Sequence, residues 1–189
     1  MKGFIRRIVD AICYYRHPIK YLRKKGAIVG NGCNIQRAEF GTEPYLIEIG
    51  NHVQITKGVK FFTHGGCWVL RNLYPSIDTF GKIKVGNNVY IGQNSILLPG
   101  VTVDDDVIIG AGSVVTKSIP RGCIVGGNPA KIIGSIEEFR TKSIAHDFGT
   151  KGFSESQKRE ILESDNKQKL FIKKSYISEN RGGGACLTD

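Results

Sequence analysis

The sequence predicts an all-β solenoid, a parallel β-helix built from hexapeptide repeats and flanked by helices. Three observations carry this reading. An aliphatic residue returns at every sixth position through Val85, Ile91, Leu97, Val103, Ile109 and Val115. A second small or aliphatic residue stands four places after each, at Val89, Ser95, Val101, Val107, Ser113 and Ile119. Glycine follows the first position at Gly86, Gly92 and Gly110. A period of six excludes an amphipathic helix, whose apolar stripe repeats about every 3.6 residues, and simple strand alternation does not place glycine at one fixed offset. Very short strands joined by tight corners, three hexads to a coil, satisfy the pattern. Each inward side chain then stacks on the one eighteen residues later: Val85 on Val103, Ile91 on Ile109, Leu97 on Val115, and Val103 on Arg121, where the regular coils end.

Residues 1–27 read as a basic helical cap. Phe4, Ile5, Ile8, Val9, Ile12 and Tyr15 recur at helical spacing, with Arg6, Arg7 and Asp10 opposite. Such a segment either covers the open end of a solenoid or lies on an anionic membrane surface, and residues 1–25 leave peripheral membrane contact open. Residues 28–136 carry the coils, with a weak start at Val29 and Ile35 and a clearer run at Ile49, Ile55 and Phe61. Phe61 and Val85 are 24 positions apart, a multiple of six, so the register can resume after an interruption. Asparagine, aspartate and glycine cluster where corners fall, because they accept a positive φ at low cost, and Pro129 suits the end of the coils. The interruption, THGGCWVLRNLYPSIDTFGKI with its loop at 65–82, is rich in aromatic and turn residues and fits no hexad. A solenoid needs no such loop, which marks it as functional. In the C-terminal helical segment, 137–175, Ser154 and Gln157 have the spacing of a capping box. Residues 176–189 are polar and glycine-rich and are expected to be disordered.

The chain of 189 residues has 27 lysines and arginines against 17 acids, a net charge of +10. Eight bases and one acid fall in residues 1–25 and seven against four in 151–175, leaving 26–150 at eleven against ten. The basicity belongs to the ends, which argues against a nucleic-acid partner. The five cysteines are widely spaced and form no C-x-x-C pair, so free thiols are expected and no metal site. No apolar run reaches the roughly 18 residues of a membrane span, and the first residues lack the pattern of a signal peptide. A cytoplasmic location is expected, with the inner face of the membrane left open by the basic segment.

The hexad, aliphatic-glycine-x-x-small-x, together with the ending IIGAGSVVTKSIPRGCIVGGNPAKII, resembles the hexapeptide-repeat acyltransferases, in particular the maltose/galactoside and capsular/lipopolysaccharide O-acetyltransferase types. The resemblance covers residues 28–136 and implies that the solenoid is a left-handed parallel β-helix. It also implies an acetyl-CoA-dependent O-acetyltransferase acting on a saccharide acceptor, plausible in surface polysaccharide synthesis, and a homotrimer. A flat-sided prism can bury its faces against copies of itself. A xenobiotic acetyltransferase is an alternative of the same fold, and a non-catalytic trimeric scaffold is a further one. Neither end carries the additional domain expected of serine or sugar-nucleotide acetyltransferases.

In the family a histidine in a THxG-like context at the base of the loop is the general base, and His64 falls on that position. The chemistry suits an imidazole, which in neutral form near pH 7 can take a proton from a weakly acidic alcohol. Many relatives follow this histidine with an acid, where this chain has Gly65, so the group that orients the ring is open between Asp78 and a backbone carbonyl. The resemblance assigns coenzyme A contacts to Gln93, Ala111, Thr116, Lys117 and Lys131, with Gly134 where a relative has an arginine. Gln93 and Ala111, eighteen apart, are expected on one edge. Trp68 and Tyr74 either wall an acceptor site or anchor the loop. His52, in an earlier corner without a loop, reads as structural.

Overall fold

The inward residue of each hexad becomes the buried end of a strand of two or three residues, and the strands stack coil on coil into three sheets. The computed structural model describes residues 13–164 and Leu170; the apolar positions Phe4 to Ile12 and the segment 176–189 lie outside the described residues. One face is β1 (Ile28–Val29), β3 (Ile47–Ile49), β6 (Ile83–Val85) and β9 (Thr102–Val103). The second is β2 (Asn34–Ile35), β4 (Gln54–Ile55), β7 (Val89–Ile91), β10 (Val107–Ile109) and β12 (Cys123–Gly126). The third is β5 (Lys60–Phe61), β8 (Ile96–Leu97) and β11 (Val114–Val115).

All pairings among these strands are parallel. Val85 pairs with Val103, Ile91 with Ile109 and Leu97 with Val115, which are three of the columns read from the sequence. The register does resume across the interruption: Ile49 pairs with Val85, Ile55 with Ile91 and Phe61 with Leu97. Ile49, Ile55, Phe61, Ile91, Leu97 and Ile109 are all essentially inaccessible, each burial contributing about 1.5–3 kcal/mol. The second hexad position is equally buried, with Ser95 and Ser113 both donating to the Gly110 carbonyl. Phe40 begins the third column, stacked on Phe61 with ring centroids 4.9 Å apart.

The fourth expected column is corrected by the structure. Val103 bridges to Ile119, not Arg121. A guanidinium has no place in an apolar column; Arg121 turns outward and its Nη2 donates to Asp105 Oδ2 at 2.6 Å. The coils then close with a hairpin. β12 continues the second face, and β13 (Lys131–Ser135) returns antiparallel to it. Pro129, after a cis peptide bond, lies in the turn between them.

Polar ladders hold the corner between the first two faces. Asn51 N donates to Asn87 Oδ1 at 2.8 Å, and Asn87 N to Asp105 Oδ1 at 2.7 Å. Beside them His52, Asn88 and Asp106 share a positive φ of 54–57° and are joined by His52 Nδ1 to Asn88 Oδ1 (2.9 Å) and Asn88 Nδ2 to Asp106 Oδ1 (2.8 Å). His52 therefore stands in a structural ladder. Glycine at 86 is demanded by close approach: a Cβ there would sit 2.5 Å from Asp105 Oδ1.

At the start of the coils, α1 (Pro18–Lys24) buries Leu22 in the same core, and Arg23 Nη2 donates to the Val29 and Gly30 carbonyls at 2.7 and 2.9 Å. Among the described residues, α1 thus packs against the first coil. After β13 come α2 (Ile136–Ala145) and α3 (Glu155–Glu163), the latter opened by the capping box of Ser154 and Gln157. The chain forms two compact units, Met1–Phe139 and Arg140–Asp189. Among the described residues, no helix is long and apolar enough to cross a membrane.

Candidate active site

The corner that leads from the third face to the first is where the hexads break, and it breaks on two successive coils. On the second coil Thr63 and His64 leave the corner into the long loop. The loop's neck is a short antiparallel contact in which His64 bridges Phe80 and Gly81 N donates to the Thr63 carbonyl at 2.8 Å. Gly81 rests directly on the next coil: a Cβ there would lie 2.4 Å from Gly100 N. His64 stands at this neck, with its side chain 42% exposed.

On the first coil the same corner carries Thr42, Glu43 and the 3-10 turn Pro44–Leu46. Glu43 Oε2 lies 2.9 Å from His64 Nδ1 and accepts from Thr63 Oγ1 at 2.6 Å, while Oε1 accepts from Thr42 Oγ1. The Glu43 side chain is only 13% exposed. These donors, the Thr42 hydroxyl foremost, then Thr63 and His64, bring its carboxyl from the usual 4.5 down to about 2. An ionised carboxylate only accepts, so Nδ1 carries a proton and donates it to Glu43. Among the described residues Nε2 has no hydrogen-bond partner in the protein. A ring held at Nδ1 by an anion keeps one orientation, and a positive charge arriving on it would be stabilised.

The orienting group is thus Glu43, and both candidates read from the sequence are set aside. Asp78 accepts from the neighbouring Thr79 N at 3.0 Å and serves its own turn. Glu43 was missed because it lies 21 positions before His64, outside any local motif. Its signal is an irregular spacing: Phe40 and Ile49 are nine positions apart where Leu97 and Val103 are six, so this corner contains extra residues.

Trp68 is 76% exposed and Tyr74 61% exposed, so neither ring anchors the loop. The buried Cys67 does so, with Sγ 3.1 Å from Thr79 Oγ1, while Trp68 stacks only against Arg71, 5.9 Å from its ring centre. Gln93 and Ala111 do fall on one edge: Gly112 N donates to the Gln93 carbonyl at 2.7 Å, at the corner between the second and third faces. Thr116 and Lys117 follow β11 at the same corner as His64, two coils further on, and Lys131 opens β13 opposite Gly126. All five side chains are exposed. Within one chain they occupy different edges and do not form a single cluster with His64. Among the described residues no group of three or more metal-ligating side chains gathers.

Residues 82–117, the most regular coils, match the family described as bacterial transferase hexapeptide (six repeats). Protein CapG of Staphylococcus aureus is 52% identical over 154 residues, covering 79% of this chain and 90% of CapG. Galactoside O-acetyltransferase of Escherichia coli K12 is 36% identical over 97 residues, 51% of this chain and 47% of that enzyme, so the match spans about half of its length. A crystal structure of a hexapeptide-repeat acetyltransferase from Vibrio cholerae in complex with acetyl-CoA superposes with a TM-score of 0.53 at 29% identity, covering 59% of this chain and 61% of that one. With the hexads, their three-sided stacking and these likenesses in agreement, the coils are a left-handed parallel β-helix and the chain belongs to the hexapeptide-repeat acyltransferase family.

Proposed function

We propose that this chain transfers an acetyl group from acetyl-CoA to a saccharide hydroxyl, with His64 as general base and Glu43 as its positioning residue. The observation that carries the proposal is the 2.9 Å contact between His64 Nδ1 and Glu43 at the root of the loop. Nε2 takes the hydroxyl proton as the alcohol oxygen attacks the thioester carbonyl. A C–O bond forms, and negative charge develops on the carbonyl oxygen, where a backbone N–H of a neighbouring coil is the fitting donor. Collapse breaks the C–S bond, and the imidazolium returns its proton to the leaving thiolate. The products are an acetyl ester and free thiol, with no acyl-enzyme.

Acetyl-CoA as donor is supported by the Vibrio cholerae relative that binds it, and the saccharide by the name of the galactoside relative. Gln93, Ala111, Thr116, Lys117 and Lys131 are the proposed donor contacts, the lysines facing phosphates. Trp68 and Tyr74 are the proposed acceptor wall, since exposed aromatic rings offer sugars an apolar face. A homotrimer reconciles these assignments: edges that are separate in one chain meet across a subunit boundary, and the exposed loop tip gains a partner. The setting we assign is cytoplasmic, in the synthesis of a surface polysaccharide.

Thiol release from acetyl-CoA over a panel of mono- and oligosaccharides, with chloramphenicol included, tests the reading. His64→Ala is expected to lower turnover on the order of 100- to 10,000-fold while donor affinity is kept. Full activity in that variant reassigns the base, and absence of both donor binding and turnover in the wild type leaves a scaffold.

A further inference from the structure

The second face carries a groove of about 380 Å³ remote from the corner of His64. Its floor is the outward side of successive rungs, where Asn34 pairs with Gln54 and Gln54 with Tyr90. Ile136, Phe139 and the His52–Asn88 ladder complete its lining. Among the described residues no lysine, arginine, aspartate or glutamate lines it. Such a lining offers phosphates no cationic partner and suits a neutral ligand.

The polar groups that remain are of the kind that reads hydroxyls. Asn34 and Gln54 are exposed, and among the described residues their side-chain amides have no protein partner, leaving both a donor and an acceptor at each rung. His52 is fixed in polarity. Asp106 can only accept, so Asn88 turns its NH2 to Asp106 and its oxygen to His52 Nδ1, which must donate. His52 Nε2 is then a defined acceptor, set on a backbone held at φ 54°. Beside these groups Tyr90 is 40% exposed and offers its ring as a flat apolar surface. Rungs of a sheet are about 4.8 Å apart, comparable with the length of one sugar ring, so a chain of sugars can place successive residues over successive rungs.

We propose that this face is a second saccharide-binding site, which holds a neutral oligosaccharide along the Asn34–Gln54–Tyr90 row. The inference rests on the reading that the acceptor is a saccharide, and gives that acceptor a purchase away from the reacting hydroxyl. Full-length protein is titrated calorimetrically with neutral hexasaccharides of glucose, galactose and N-acetylglucosamine units, and turnover is followed in parallel with mono- and hexasaccharide acceptors. At least one hexasaccharide is expected to bind. Tyr90→Ala and, separately, Gln54→Ala are expected to weaken it tenfold or more and to raise KM for the hexasaccharide acceptor, leaving kcat on the monosaccharide unchanged. His64→Ala is expected to bind as the wild type does. The proposal is overturned if no hexasaccharide binds, if both face variants bind normally, or if Tyr90→Ala changes the oligomeric state, which makes the face an interface between copies. A protein that turns over sugars yet fails these titrations loses only the second site; one that binds through Tyr90 yet transfers nothing loses the enzymatic reading.

Discussion

Replacing Glu43 by glutamine removes one charge and keeps the shape of the side chain. In the wild type the carboxylate receives three donors, His64 Nδ1 at 2.9 Å, Thr63 Oγ1 at 2.6 Å and Thr42 Oγ1. A glutamine has one accepting oxygen, and its NH2 must then face either the Thr42 hydroxyl or the oxygen-seeking pair Thr63 and His64. The imidazolium formed in the transition state loses its counter-charge in both arrangements. A net charge-assisted hydrogen bond of this kind contributes about 1.5–3 kcal/mol, and since each 1.36 kcal/mol is tenfold in rate, kcat is expected to fall roughly 10- to 150-fold. The loss should appear in kcat and not in the affinity for acetyl-CoA, because Glu43 touches the base and no proposed donor contact. The assay is thiol release under saturating donor and acceptor, with acetyl-CoA affinity measured separately by calorimetry. Glu43→Gln turning over at more than half the wild-type rate would falsify the positioning role, as would an equal loss of donor affinity.

The same carboxyl makes acid stability a readout. Its pKa lies at about 2 in the fold against an ordinary 4.5, so the unfolded chain takes up its proton at higher pH, and the stability it contributes is complete above about pH 5 and lost as pH falls toward 2. Urea midpoints of wild type and Glu43→Gln should therefore converge over that interval, and a gap that stays constant removes the linkage. Leu97→Ala, fully buried in the column between Phe61 and Val115, should cost about 2–5 kcal/mol in denaturant unfolding. Gly86→Ala places a Cβ 2.5 Å from Asp105 Oδ1 and 2.9 Å from the Asp104 carbonyl carbon; the coil above has to shift, at roughly 1–3 kcal/mol, and an unchanged midpoint contradicts the packing.

The coils were legible because a repeat averages over its own exceptions: six hexads in phase leave only one way to bury Val85, Leu97 and Ile109 at once. The register across the loop followed from a multiple of six. What was not legible came from side chains whose partners are set by stacking. Arg121 occupied a column position by count, but its guanidinium does not suit an apolar column and finds Asp105 and Asp106 outside it, so the column takes Ile119. Trp68 and Tyr74 were visible as loop aromatics, but their exposure depends on how the loop leaves its neck. His64 was legible through its resemblance to a family pattern, whereas Glu43 answers a geometric question, namely which residue on the previous coil stands under it. Nothing local to either residue poses that question.

A solenoid of identical coils has no natural place for a reaction, since every corner repeats the one below it. A site arises when the repeat is broken, and a single break yields a loop with one functional group on it. Two breaks at the same corner on adjacent coils yield more, because stacking converts a separation of about one coil in sequence into van der Waals contact. The extra residues between Phe40 and Ile49 and the excursion after Thr63 are such a pair of breaks. The first delivers an anion and the second delivers the imidazole we propose as the base, and the threonines before each, Thr42 and Thr63, bind the carboxylate from both sides. The regular coils contribute a support: Gly81, in the neck of the loop, packs so closely on the coil of Gly100 that a Cβ would lie 2.4 Å from Gly100 N. In this fold the departures from the repeat that adjoin each other in space are therefore the places to look for chemistry, and the spacing error of three residues before Ile49 is as informative about catalysis as the long loop itself.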